Sequence, residues 1–336
     1  MNIQHNIKHN IQLKPYNSLR TQALAKLFCE PQSIDELSEI IKKYPDEKKL
    51  VLGGGFNLFF TKDFDGLIVH QNMKGINIWY EDANFIEIEV NAAESWDDFV
   101  EFCVANNYAG IENLSLIPST VGAAPIQNIG AYGTEVKDVI TLVRTVDIRT
   151  GESKDFTNEM CDFGYRDSIF KRTGNYVITS VVFRLKKHFT YKEKYVDLTN
   201  ELKKNKYPTM REVREAIVRI RTRKLPDYHT LPNAGSFFKN PYLTYEQKEN
   251  LIQLLPNATI HNINENCFKT SSAFLIDKAG YKNKRSGMVG TYEHHSLIII
   301  NYGTEKGKDI VNFMKQIQHN VHSQFNIWLE PEVRMY

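Results

Sequence analysis

An α+β (mixed α/β) fold is what the sequence predicts, on three observations. Segments of helical period alternate with segments of strand period, no internal repeat or low-complexity tract breaks the alternation, and the composition is that of an ordinary globular protein. Of 336 residues, 42% are hydrophobic and 24% charged, enough for two or three domains that each bury a core. The net charge of +2 gives the chain no global attraction for nucleic acid. The opening stretch MNIQHNIKHNIQLKPYNSLR carries no apolar run of signal-peptide length, and no window approaches the ~18 unbroken apolar residues of a membrane span. A cytoplasmic protein with no membrane partner is expected.

Ser33 and Glu36 form a capping box ahead of Ile34, Leu37, Ile40 and Ile41, which predicts an amphipathic helix over 34–44. It feeds a strand at 49–52 that runs straight into Gly53-Gly54-Gly55. Strands are expected at 67–69 and, from the alternation Ile86-Glu87-Ile88-Glu89-Val90, at 85–90, with Ser95 capping a helix through Cys103. The stretch 110–135, GIENLSLIPSTVGAAPIQNIGAYGTE, has neither period and is rich in Gly, Ala, Pro and amides, as suits backbone lying close to a ligand. Residues 142–149 and 154–157 read as a hairpin about Thr150-Gly151, 176–185 as a strong strand and 211–223 as a helix. The break Leu225-Pro226-Asp227 is the candidate domain boundary. Beyond it come helices at 245–255 and 272–279, a strand at 297–301 and a helix over 306–324 with Ile310, Phe313, Met314, Ile317 and Val321 on one face. The tail 328–336 is short and extended, and is expected to pack back on a neighbouring domain.

Strand-then-GGGFN offers successive N–H groups without Cβ obstruction, which reads either as a tight turn or as a nest for a pyrophosphate. It is not a Walker loop, since no Gly-Lys-Ser/Thr follows, and it breaks the G-x-G-x-x-G spacing. With the second small-residue loop, 118–133, it fits a large dinucleotide. In FGYRDSIFK (163–171), Arg166 and Asp167 form either a surface ion pair or a functional cation beside an aromatic. Ser236 in NAGSFFKN follows two small residues; without a G-x-S-x-G elbow it is a turn serine or a close ligand contact rather than a hydrolase nucleophile. Glu330 and Glu332 near the chain end are solvated charges on the plain reading. His294 and His295 begin a strand and point to opposite faces, so no metal is assigned to them. The four cysteines lack any CxxC spacing and read as buried free thiols, and no metal site is expected at all.

Taken in order, LGGGFN, IPSTVGAAPIQNIGAYG, FGYRDSIFK, RTRKLPD, NAGSFFKNP and WLEPEVR resemble the UDP-N-acetylenolpyruvoylglucosamine reductase family from Asn17 to Arg334, and the stretch around Tyr195-Val196-Asp197-Leu198 resembles its type I form. The resemblance implies an FAD-binding domain of the vanillyl-alcohol oxidase and p-cresol methylhydroxylase type with a smaller α/β substrate domain. Residues 1–72 and 73–226 would be FAD-binding subdomains, 227–325 the substrate-binding domain, and 326–336 a tail returning to the active site. It implies non-covalent FAD held by Gly53, Gly54, Gly55, Phe56, Asn57, Pro118, Ser119, Gly122, Ala123, Asn128, Gly130 and Tyr132. The partners implied are NADPH as co-substrate and a UDP-sugar whose diphosphate is held by Tyr195, Lys224 and Asn240; a monomer is expected. Tyr191 rivals Tyr195, because the local alignment is loose.

The activity implied is reduction of the enolpyruvyl group of UDP-N-acetylglucosamine enolpyruvate to UDP-N-acetylmuramate for peptidoglycan, in ping-pong order. NADPH reduces the flavin and leaves; the enolpyruvyl ether then takes hydride at its vinyl carbon. Arg166 would grip the carboxylate as enolate character grows, Glu332 would assist as a neutral acid, and Ser236 would protonate the carbon bearing the ether oxygen. Phe56 departs from the family's serine and removes one hydroxyl donor, and residues 256–270 match poorly and receive no site. The alternative is an FAD-linked oxidase of an alcohol or sugar, which would not need GSFFKNP or the terminal EPEVR.

Overall fold

Ser33 caps the first helix as its sequence predicts: its Oγ accepts the N–H of Glu36, and Ile34–Lys43 buries Leu37, Ile40 and Ile41. In this computed structural model, which describes residues 7–191, 195–203 and 205–336, that helix serves two sheets. One is ordered Ile7–Gln12, Leu24–Cys29, Phe64–His70, Lys49–Leu52, the last pair running parallel with Lys49 opposite Leu67. The other is antiparallel, ordered Ser153–Thr157, Ile140–Asp147, Tyr176–Lys186, Phe85–Asn91, Ile76–Glu81. Leu37, Ile40 and Ile41 share a core with Leu67 and Val69 of the first sheet and Val146 and Val177 of the second. The helix Trp96–Ala105, capped by Ser95, lays Trp96, Phe99 and Cys103 on the other face of the second sheet, against Phe183. Cys29, Cys103 and Cys161 are buried free thiols, and burial pushes the thiols of Cys29 and Cys161 up to about 12.

A second sheet system is ordered Asn233–Ser236, Ile298–Asn301, Val289–Thr291, Arg285–Ser286. The helix Gly307–Phe325 packs on it with Ile310, Phe313, Met314, Ile317 and Val321, the stripe that its period predicts. Leu19 and Phe59 lie in the same core. The chain accordingly divides into two compact units that are not contiguous in sequence. The first takes the described residues of Met1–Ile11, Ala25–Gly54 and Asp65–Arg223; the second takes Gln12–Leu24, Gly55–Phe64 and the described residues of Lys224–Tyr336. This differs from the contiguous segments 1–72, 73–226, 227–325 and 326–336. Two short segments leave the first unit because their backbone is captured by the second: Asn301 Nδ2 donates to the Leu19 carbonyl at 2.7 Å, and Arg334–Met335 pairs in parallel with Leu58–Phe59.

Two further local expectations are revised, and one segment left without an element gains one. Arg149 falls outside the strand Ile140–Asp147, because its N–H and guanidinium fold back onto Asp147 and make a turn. His294 and His295 lie in a bend before the strand Ile298–Asn301 rather than beginning it. The region 256–270 contains an antiparallel pair, Ile260–Asn264 with Cys267–Thr270.

Gly55 makes a prediction of its own. Its φ is 69°, and a Cβ there would stand 2.1 Å from the Tyr16 carbonyl oxygen. Gly55→Ala should cost more than the about 1–2 kcal/mol of left-handed backbone alone. Urea denaturation checks this, and an unchanged midpoint would refute the packing argument.

Candidate active site

The strand Lys49–Leu52 delivers Gly53 and Gly54 in the first unit, while Gly55, Phe56 and Asn57 belong to the second. A Cβ on Gly53 would stand 2.8 Å from Thr120 Oγ1 and 3.5 Å from the Ala123 Cβ, so the two small-residue loops meet there. Gly122 has no room for a side chain either, since a Cβ would lie 2.5 Å from that of Ala92. The loop is stitched to its surroundings through backbone: Gly122 N–H donates to Ala92, Val121 N–H to Glu94, and the Ser119 carbonyl accepts from Trp96 N–H. Pro118 is exposed, and Ser119 Oγ donates to the Thr120 carbonyl. Backbone and small side chains brought together in this way fit the pyrophosphate and flat ring of FAD.

Strain gathers in the same region. Leu116 (φ 57°), Asn128 (45°), Tyr132 (47°) and Arg166 (53°) all take left-handed backbone. For a residue with a Cβ this costs about 1–2 kcal/mol each, and such residues concentrate where surrounding structure over-determines a site.

Arg166 sits at the tip of a tight hairpin closed by the Gly164–Asp167 bridge. The rest of its motif holds it there. Lys171 Nζ donates to the Arg166 carbonyl at 3.0 Å, Ser168 caps Ile169–Thr173 and donates Oγ to the Ile126 carbonyl at 2.6 Å, and Arg172 pairs with Asp162 and Asp167. The guanidinium turns to the small-residue loop, with Nη2 donating to the Gly130 carbonyl at 2.6 Å and Nη1 to that of Asn128 at 3.4 Å. Asn128 is fully buried, and its carboxamide is committed to Glu135, the Gly164 carbonyl and Lys137 N–H. Its side chain therefore fastens the Arg166 hairpin to the loop, while its N–H donates to the Pro125 carbonyl and its own carbonyl accepts from Arg166.

In the second unit, Asn233 shapes the approach to Ser236: its Oδ1 accepts from Gly235 N–H and its Nδ2 donates to the Leu231 carbonyl. Gly235, at φ 67°, turns the chain so that Ser236 is exposed while Phe237 and Phe238 anchor the core. The tail then closes beside it. Glu332 N–H donates to the Phe237 carbonyl at 2.8 Å, Pro331 bridges to Phe238, and Asn57 Nδ2 donates to the Glu332 carbonyl at 3.4 Å. Ser236, Glu332 and Asn57, far apart in sequence, thus share one neighbourhood. Asn240 Oδ1 accepts from Ser272 N–H at the start of Ser272–Lys278. Phe56 packs edge-on against Tyr228, with ring centroids 4.9 Å apart, so an aromatic pair stands where a hydroxyl was expected.

Tyr195 is 44% exposed and meets Tyr132 edge-on at 5.9 Å; burial raises the pKa of the Tyr132 hydroxyl. The rival Tyr191 has a buried hydroxyl with no partner among the described residues. His295, to which the sequence reading gives no role beyond a strand position, lies in the second unit as well. It is half-buried near Lys224, with its buried Nδ1 unpartnered among the described residues, and its pKa lies below the usual value through desolvation, with Asp277 pulling against and Lys224 adding to the shift. Its sequence signal was hidden by the assumption of alternating strand faces.

Comparison with known proteins brings these observations under one heading. A family model described as the C-terminal domain of UDP-N-acetylenolpyruvoylglucosamine reductase matches residues 226–336, and one described as an FAD binding domain matches 25–157. The UDP-N-acetylenolpyruvoylglucosamine reductase of Flavobacterium johnsoniae is 42% identical, covering 98% of this chain and 99% of its own. That of Bdellovibrio bacteriovorus is 40% identical, covering 97% and 98%. The crystal structure of UDP-N-acetylenolpyruvylglucosamine reductase from Thermus caldophilus shares the fold, with a TM-score of 0.68, 22% identity and 97% of each chain covered.

Proposed function

The chain belongs to the UDP-N-acetylenolpyruvoylglucosamine reductase family, and on that premise we propose that Arg166, Ser236 and Glu332 carry its reaction. The enzyme is an FAD- and NADPH-dependent oxidoreductase that reduces the enolpyruvyl C=C bond of the UDP-sugar to give UDP-N-acetylmuramate. Bound FAD supplies the chemistry of hydride transfer between NADPH and the vinyl carbon.

The residues of this chain do the rest. Gly53 to Asn57 and the loop residues Pro118, Ser119, Gly122, Ala123, Gly130 and Tyr132 hold the cofactor, with the buried Asn128 bracing the loop from within. Arg166, always charged, binds the carboxylate as negative charge grows on it. Glu332, in its neutral form, donates to the same carboxylate, and Ser236 Oγ gives its proton to the carbon bearing the ether oxygen. Lys224, Tyr195 and Asn240 orient the diphosphate, Lys224 as a point charge and the others as donors. The observation that carries this reading is the backbone bond from Glu332 to Phe237, which seats the terminal acid next to Ser236. We place the enzyme in the cytoplasm as a monomer; among the described residues no helix is long and apolar enough to cross a membrane.

The test is the visible spectrum of the purified protein, followed anaerobically. Flavin absorbance should bleach with NADPH and return when UDP-N-acetylglucosamine enolpyruvate is added. Colour restored by oxygen alone would favour an FAD-linked oxidase and sink the assignment of Arg166, Ser236 and Glu332.

A further inference from the structure

Just ahead of Pro118, charge holds one strained residue from both sides. Leu116 stands at φ 57°. Its N–H donates to Asp97 Oδ1 at 2.5 Å, and its carbonyl accepts from Arg221 Nε at 3.3 Å. Asp97 is in turn fixed by Arg214, whose Nη1 and Nη2 reach its two oxygens at 2.7 and 3.1 Å and whose Nε and Nη2 reach Glu101 at 2.9 and 2.5 Å. Arg214 is only 8% exposed and Asp97 is partly buried, so the pair that holds Leu116 is shielded from solvent although Glu101 beside it is exposed.

The spacing explains how the network forms. Arg214 and Arg221 are seven residues apart on Met210–Lys224, and Asp97 and Glu101 are four apart on Trp96–Ala105, so each pair lies on one helix face. Burial lowers the pKa of Arg221, with Tyr132 and Asp97 pulling the other way, as expected for a desolvated cation seated among its partners. The N–H of Leu116 belongs to the peptide plane before it and the carbonyl to the plane after it. Fixing both planes fixes φ and ψ, which an isolated leucine would not keep in this region.

We propose that Arg221 is a positioning residue for the FAD loop: together with Asp97 it locks Leu116 in the left-handed conformation, and this sets the path of residues 118–123. The proposal rests on the reading that this loop holds FAD. Arg221 acts through the Leu116 carbonyl and takes no part in hydride or proton transfer.

The test is a double-mutant cycle of Arg221→Met and Leu116→Gly, read by FAD binding to the apoprotein and by the visible bands of the bound flavin. Glycine adopts left-handed backbone without penalty, so it removes the need for the lock. Arg221→Met alone should weaken FAD binding about tenfold and shift the bands; in the Leu116→Gly background the same change should cost about threefold or less and leave the bands unmoved. A general loss of stability would not be rescued by glycine. Equal losses in both backgrounds would therefore overturn the proposal.

Amide hydrogen exchange at Leu116, Val121 and Gly122 of the FAD-free protein is the second readout. It should quicken about tenfold in Arg221→Met, and unchanged exchange would also overturn the lock. A wild-type protein that binds no FAD would defeat the functional reading instead, while exchange would still judge the lock.

Discussion

Ser236→Ala protein should be reduced by NADPH at the wild-type rate, yet be reoxidised by the enolpyruvyl substrate about 10²–10⁴-fold more slowly, the range that general acid catalysis supplies. The asymmetry follows from chemistry. Hydride delivery to the flavin needs no proton from the protein side chain, whereas the enolate left after hydride addition must be quenched at carbon. Serine is a weak acid in water, but an enolate held in line is a strong enough base to take its proton. The structure supports a presented hydroxyl: Gly235 at φ 67° turns Ser236 outward, and Phe237 and Phe238 hold the strand that carries it. Removal of one oxygen from an exposed side chain should leave folding intact. Stopped-flow absorbance of the two half-reactions decides the matter, and equal damage to both would refute the assignment.

Arg166→Lys should slow the same reoxidation by about 10²–10³-fold, as does loss of one oriented donor to a developing anion, with FAD kept saturating. Lysine preserves the charge but not the planar fork, and a single ammonium cannot hold the Gly130 carbonyl while gripping a carboxylate in two-point fashion. The left-handed backbone at 166 adds to the specificity of the position, since the turn that presents the guanidinium is fastened by Ser168, Lys171 and Arg172. A loss of less than about fivefold in the reoxidation step would show that charge alone suffices and that the fork is not used.

Much of this was legible in the sequence because it depends on neighbours along the chain. The Ser33 cap, the alternation at Phe85–Asn91 and the apolar stripe of Gly307–Phe325 are local patterns, and each appears where its period places it, although Glu36 accepts from Gln32 N–H rather than closing a capping box on Ser33. The site motifs were legible for a related reason. In FGYRDSIFK the residues around Arg166 are the ones that hold it, so the string carries both the chemical group and its scaffold.

Other features lay beyond reach of the one-dimensional reading. Nothing local in Leu19 or Phe59 announces that they join a core built mostly from residues after 224; that outcome depends on backbone capture by Asn301 and by the terminal strand. His294 and His295 read as the start of a strand, but they lie ahead of Ile298, where His295 is half-buried near Lys224. The resemblance implies Asn128 as an FAD contact, and only the folded chain shows its carboxamide bonded to Glu135 and the Gly164 carbonyl.

The sequence by itself therefore determined the elements, the two ligand-type loops and, through its ordered motifs, the family and chemistry. Tertiary structure alone decided which distant segments meet: the closing of Glu332 onto Phe237, the Gly53 contact with Thr120, and the grip of Asp97 and Arg221 on Leu116. The physical reason is that helix and strand periods are set by steric and hydrogen-bond rules acting over a few residues, whereas those three contacts satisfy polar groups and exclude volume between segments that no local rule brings together.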